Sequence, residues 1–244
     1  MTGPARCRVM RRAVVGLVAL LALTGCTANV PGRGAMAAPQ LCAAAGQDAA
    51  KVVACVAADL NRFWRAELGR PVGVDVTVDP APAKVNKACR SFLALGTAFY
   101  CPADLRAYVT GASVVRTRAA FGDRLPYALA VVVAHEAGHR VQYVSRQPGL
   151  ELTGDAASRV VEQQADCLAG VWAYGAARRG LLDPAGFRAA YAEEMRLVSE
   201  LKPPAGSGLD DYDEVATHGT PAQRVAAFDR GDSAAANPCR LRER

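Results

Sequence analysis

At 244 residues, 51% of them hydrophobic and 21% charged, the chain is long and apolar enough to bury the core of one globular domain, which excludes a disordered or low-complexity protein. The formal charge of +6 does not point to a polyanion: Arg6, Arg8, Arg11 and Arg12 sit in a first stretch of 25 residues without an acid, and the remainder carries 25 basic against 23 acidic groups. A body this close to neutral argues against nucleic acid as a partner.

The four arginines precede AVVGLVALLALTG, an apolar or small run from Ala13 to Gly25. It is too short to span a bilayer and suits the core of a signal peptide. The run ends in Leu23-Thr24-Gly25-Cys26, which resembles the lipobox of bacterial lipoproteins, where the cysteine is lipidated and becomes the mature N-terminus. The expected organisation is a lipoprotein signal peptide over residues 1–25, a lipid-anchored tether rich in small residues over 26–40, and a folded domain over 41–244. The expected location is the outer face of the bacterial cytoplasmic membrane, with the membrane itself a partner through Cys26. Of eight cysteines, Cys7 leaves with the signal and Cys26 takes lipid, so six remain. Outside the cytoplasm six thiols read as three disulfides, and spacing alone leaves all fifteen pairings open. No pair has the two-residue spacing of a zinc knuckle.

In chain order the domain reads as mainly helical. Val53, Val56, Leu60, Phe63, Trp64 and Leu68 recur at steps of three and four, predicting an amphipathic helix that the Gly69-Arg70-Pro71 break ends. Trp64, and Trp172 further on, are expected in the core. VGVDVTV at 72–78 alternates as a strand, and TAFYC and RAYVT, separated by PADL, read as two strands or as one strand and a turn. No legible pattern covers 110–124 or 202–218, which are expected as loops. A strongly apolar helix is predicted from Leu125 to Val144. A second spans about 156–179 with Thr153 or Asp155 as N-cap, and a third about 184–201. A short helix follows His218-Gly219-Thr220-Pro221.

The Leu125–Val144 helix contains AHEAGHRVQ at 134–142, with two of the three histidines of the chain. Residues four apart share a helix face, so His135 and His139 can present both imidazoles to one zinc ion. Glu136, about 100° further round, is poorly placed as a third ligand but can take a proton from the attacking water. Gly138 costs about 1 kcal/mol in a helix relative to alanine, so close packing is expected there. A catalytic zinc usually has three protein ligands. The metzincin extension is excluded, because Gln142 and Ser145 stand where glycine and histidine would be needed. Glu162, in VEQQADCLAGVWA, is the candidate third ligand, with Asp166 four residues on to accept the second N–H of a ligating histidine. Glu151 competes, but from a Pro/Gly loop.

VVVAHEAGHRVQ at 131–142 followed by EQQADCLAGVWA at 162–173 resembles the bacterial neutral zinc metallopeptidase family, whose signature pairs a HEVGHHVQ-type helix with an ELQADC-type helix. FYCPADLRAYV and THGTPAQRVAAFDRG resemble further blocks in the same order, and the resemblance covers about residues 85–239. It implies an α+β, mainly helical zincin of gluzincin-like architecture, with an active-site helix, a second ligand-bearing helix and a small sheet. It implies one Zn2+ on His135, His139 and Glu162, Glu136 as catalytic base, and Asp166 behind the ligands. The sequence departs at Tyr108-Val109-Thr110, where an acidic residue is expected, and at Arg140, which replaces a histidine. The resemblance also implies the pairs Cys89–Cys101 and Cys167–Cys239, with Cys42–Cys55 as the expected remaining pair.

His218 is the candidate donor to the oxyanion of the reaction, with Tyr100, Tyr108 and Tyr212 weaker candidates for that role. The implied function is peptide-bond hydrolysis on a peptide or protein substrate outside the cytoplasm. The competing reading is a lipid-anchored, non-catalytic zinc-binding or assembly protein.

Overall fold

A computed structural model describes residues 40–146 and 154–241. The expected signal peptide, Cys26 and the expected tether to residue 39, and also Glu151 and Thr153, lie outside them.

Helix α1 (Ala49–Leu68) starts at Asp48, whose side chain accepts from the Lys51 amide, and stops at Gly69, in the left-handed region at φ 64°. Val53, Val56, Leu60, Phe63 and Trp64 are buried. Beyond it the expected strand shortens to β1 (Val76–Val78). The Asn61 side chain takes the Val74 amide at 2.7 Å and carbonyl at 2.8 Å, so helix α1 supplies the partners a ladder would have given. β2 (Ala98–Cys101) and β3 (Arg106–Val109) form an antiparallel hairpin with Phe99 opposite Tyr108, and β1 joins β3 in parallel. The strand order β1-β3-β2 leaves β2 at an edge. Phe99 and Tyr108 pack with Val85 in a small second core beside the Cys89–Cys101 disulfide.

The stretch 110–124, expected as loop, is helix α2 (Gly111–Phe121) and a 3-10 turn; Thr110 caps the helix by accepting from the Ser113 amide. Its inward face is Ser113, Thr117 and Phe121, so small polar residues stand where an apolar stripe would have betrayed it.

Helix α3 (Leu125–Val144) has the predicted bounds and is buried without interruption from Leu125 to Gly138. α4 (Asp155–Arg178) crosses it; its N-cap is Gly154, with no side-chain cap, and Asp155 is its first residue rather than a cap. α5 (Pro184–Ser199) follows, with Asp183 capping. Within the expected 202–218 loop the last turns form a short helix, α6 (Glu214–His218), because Asp213 accepts from the amides of Val215 and Ala216. α7 (Pro221–Gly231) opens with a capping box of Thr220 and Gln223. Trp64 and Trp172 are core residues, and the Trp172 indole donates to buried Asp59 at 2.9 Å. The described disulfides are Cys42–Cys55, Cys89–Cys101 and Cys167–Cys239, the last tying α4 to the chain beyond α7. Among the described residues no helix is long and apolar enough to cross a membrane.

At Gly138, α3 and α4 meet backbone to backbone: a Cβ there would lie 2.8 Å from the Ala165 carbonyl oxygen and 2.9 Å from its Cα. Neither atom can rotate away. Gly138→Ala is therefore expected to lower stability by about 1–3 kcal/mol in urea denaturation, despite a better helix propensity. An unchanged or higher midpoint would contradict this close contact.

Candidate metal centre

The α3–α4 crossing determines the site. One turn of α3 separates His135 from His139, whose rings stand perpendicular with centroids 4.8 Å apart. Facing them from α4, the Glu162 Oε2 lies 3.1 Å from the Nε2 of each. One ligand atom from each of His135, His139 and Glu162 lies within 4.8 Å of the others, a spacing that can hold a metal ion.

The second nitrogen of each imidazole is engaged. His135 Nδ1 lies 2.8 Å from Asp166 Oδ1, and His139 Nδ1 lies 2.9 Å from Gln142 Oε1. Gln142 cannot turn over freely, since its amide nitrogen donates to the Val161 carbonyl at 2.7 Å and to Gln164 at 3.0 Å. With both Nδ1 positions donating, the Nε2 lone pairs are the ones left for a common cation. Burial works to lower the His135 pKa, but the charge and hydrogen bond of Asp166, with help from Glu162, outweigh it and push it up to about 10. A cation entering the site therefore replaces protons on the imidazoles.

Behind the ligands lies a buried charged network. Asp166 is 0% exposed and accepts from Arg224 through Nε at 3.1 Å and Nη2 at 3.0 Å, and from the Tyr191 hydroxyl. Burial alone would raise the Asp166 pKa; Arg224 first, then His135, hold it well below the usual carboxylate range. Arg224 Nη1 also donates to Glu214 at 3.1 Å, and Glu214 accepts from the Tyr212 hydroxyl at 2.6 Å. Helices α4, α5, α6 and α7 are thereby tied to one another directly behind His135.

Glu136 is buried and lines the same cleft as the three candidate ligand residues. Burial raises its pKa, and the charges of His135 and His139 oppose the rise. From α6, His218 brings its Nε2 to 3.2 Å from Glu162 Oε2, while its Nδ1 lies 3.5 Å from Glu214. The tyrosines separate. Tyr108 faces the small core and donates to Asp104 at 2.7 Å, whereas Tyr100 and Tyr212 line the cleft. Arg140 donates to the Val72 carbonyl at 2.8 Å, so this departure from the family pattern serves the junction of α3 with the chain before β1.

The cleft has a volume of about 1230 Å3, and the edge strand β2 contributes Ala98, Phe99 and Tyr100 to its wall. Sequence reasoning missed Gln142, Tyr191, Glu214 and Arg224. Gln142 carried a signal, standing three residues after His139 on one helix face. Arg224 stood inside THGTPAQRVAAFDRG without a visible partner, and nothing local marked Tyr191 or Glu214.

A family model described as "Putative neutral zinc metallopeptidase" matches residues 13–240. Among curated proteins, "Uncharacterized protein YpfJ" of Escherichia coli K12 is 31% identical over 142 residues, covering 54% of this chain and 49% of the relative. "Uncharacterized protein Rv2575" of Mycobacterium tuberculosis is 45% identical over 83 residues, covering 31% of this chain and 28% of the relative. The chain spans about half the length of the first relative and less of the second. No solved structure matches.

Proposed function

The chain belongs to the neutral zinc metallopeptidase family, and on that premise we propose that it hydrolyses peptide bonds, with zinc on His135, His139 and Glu162 and Glu136 as general base. The observation that carries this reading is the convergence of two Nε2 atoms on one Glu162 oxygen, with Glu136 on the same cleft. Two imidazoles and one carboxylate are a donor set that suits zinc and leaves a coordination position open. Zinc held there would supply Lewis acidity to the attacking water and to the scissile carbonyl.

The chain's own groups do the rest. Glu136 takes a proton from the attacking water and passes it to the leaving amine. His218, on the side of Glu162 facing α6, donates from Nε2 to the developing oxyanion. Asp166 holds His135 in one tautomer and Gln142 does the same for His139, so neither ring has to reorganise during the reaction. The unpaired edge of β2 beside the ligands suits a substrate in extended conformation, whose main chain would add to the sheet. These features support a gluzincin-like arrangement.

We also propose export and anchoring through Cys26 to the outer face of the cytoplasmic membrane, with residues 1–25 as signal, 26–40 as tether and 41–244 as catalytic domain. The Leu23–Cys26 motif supports this, and three disulfides suit an oxidising compartment.

The test is elemental analysis of the purified chain and of Glu162→Ala, alongside hydrolysis of a fluorogenic peptide mixture. We expect one zinc in the parent, activity lost on chelation, and zinc affinity in the variant reduced by more than about 100-fold, the upper end for losing an outer partner. A folded parent that takes up no zinc sinks the proposal. A parent that binds zinc and hydrolyses nothing leaves the anchored binding or assembly protein as the reading.

A further inference from the structure

The cleft extends beyond the metal ligands. Part of its wall comes from α2 and α5, through Ser113, Arg116, Glu194, Met195 and Val198. Arg116 lies within electrostatic reach of Glu194 and Glu214, and Glu194 of Arg224, so this wall adjoins the Glu214–Arg224 pair that backs His218. Nothing in the reaction outlined above uses it.

Glu194 is 1% exposed, and neither carboxylate oxygen has a hydrogen-bond donor among the described residues. The nearby cation does not supply one. Arg116 donates through Nη1 to the Gly96 carbonyl at 2.8 Å and through Nη2 to Ser113 at 3.4 Å, and it makes no ion pair with Glu194. A buried carboxylate without donors is costly, and its place in a cleft wall marks it as a group that waits for a partner. Burial pushes its carboxyl up to about 7, against the charges of Arg116 and Arg224.

The unmet demand is for hydrogen-bond donors carrying positive charge, at the end of an apolar approach. Met195, Val198 and Val132 line the cleft with it, a surface for an aliphatic stem. An acidic side chain would meet a like charge at Glu194 and find two of the three Arg116 nitrogens already taken. We propose that Glu194 is the floor of a specificity subsite that receives a lysine or arginine side chain of the bound peptide; this rests on the peptidase reading above. Both oxygens are shielded from bulk water, so a cation that reaches them pairs in a low-dielectric setting, where charge-assisted hydrogen bonds are strongest.

The test is direct binding to the full, zinc-loaded chain carrying Glu136→Gln, which cannot turn substrate over. The probes are short fluorescein-labelled peptides of glycine, alanine and leucine with a single lysine moved through each position, against the same set with norleucine, which keeps the stem without the charge. We expect lysine at one position to bind at least about tenfold tighter than norleucine, and Glu194→Gln added to Glu136→Gln to abolish that difference. Equal binding of the two sets to the Glu136→Gln chain overturns the proposal with no further variant, so a Glu194→Gln chain that fails to fold does not protect it. A lysine preference that survives Glu194→Gln overturns it too. Turnover by the unsubstituted chain is read separately: a lysine preference without hydrolysis would sink the peptidase reading and keep the subsite, and hydrolysis without a basic preference would do the reverse.

Discussion

Glu136→Gln is expected to keep one zinc per chain and to lose turnover by about 10²–10⁴-fold, the range that a positioned general acid–base contributes. The replacement has the same shape, and a neutral amide is easier to bury than a carboxylate, so fold and ligands are left alone. Neither of the ligand-orienting bonds, His135 to Asp166 and His139 to Gln142, involves Glu136. What disappears is a group able to accept a proton beside the ligands. Measured kcat on a fluorogenic peptide, with zinc by elemental analysis on the same sample, separates loss of chemistry from loss of metal. Retention of more than about a tenth of parental kcat would remove Glu136 from the role of base.

Arg224→Met is expected to produce the largest loss of stability, about 3–5 kcal/mol in chemical denaturation, the range for removing one partner of a buried charge set. Arg224 is 4% exposed and serves two carboxylates at once, Asp166 through two nitrogens and Glu214 through the third. Methionine fills much of the volume but leaves both acids short of a cation in a water-poor site. Tyr191 and Tyr212 still donate to them, as neutral hydroxyls that cannot balance the charge. Zinc affinity should fall as well, because Asp166 would no longer be held against His135. Stability within about 1 kcal/mol of the parent would show that the network is not under the electrostatic demand described.

The parts of the site that could be read from the sequence are those whose partners lie one helical turn away. His135 with His139 and Glu162 with Asp166 each sit four apart, so a single helical period puts each pair on one face. The order of α1, α3, α4, α5 and α7 came from the same local rule, and α3 begins where predicted because an apolar run opens at Leu125. Where the deciding contact was distant, the pattern was silent. Residues 72–75 alternate like a strand, yet Asn61 from α1 takes the Val74 backbone and leaves only Val76–Val78 in the sheet. Helix α2 buries Ser113 and Thr117, which no hydrophobic period reveals. Arg224 is 58 residues from the Asp166 it neutralises, and Glu214 becomes its partner only once α6 and α7 have folded back.

That same separation sets an order of assembly during biosynthesis. A chain made from its N-terminus completes His135, His139 and Glu162 well before Arg224, and Cys167 waits 72 residues for Cys239. Until the last segment arrives, Asp166 lacks its counter-charge. The candidate metal site is therefore brought together by α3 and α4 before the charge that backs it has been made, and it is finished only when α7 folds back onto α4.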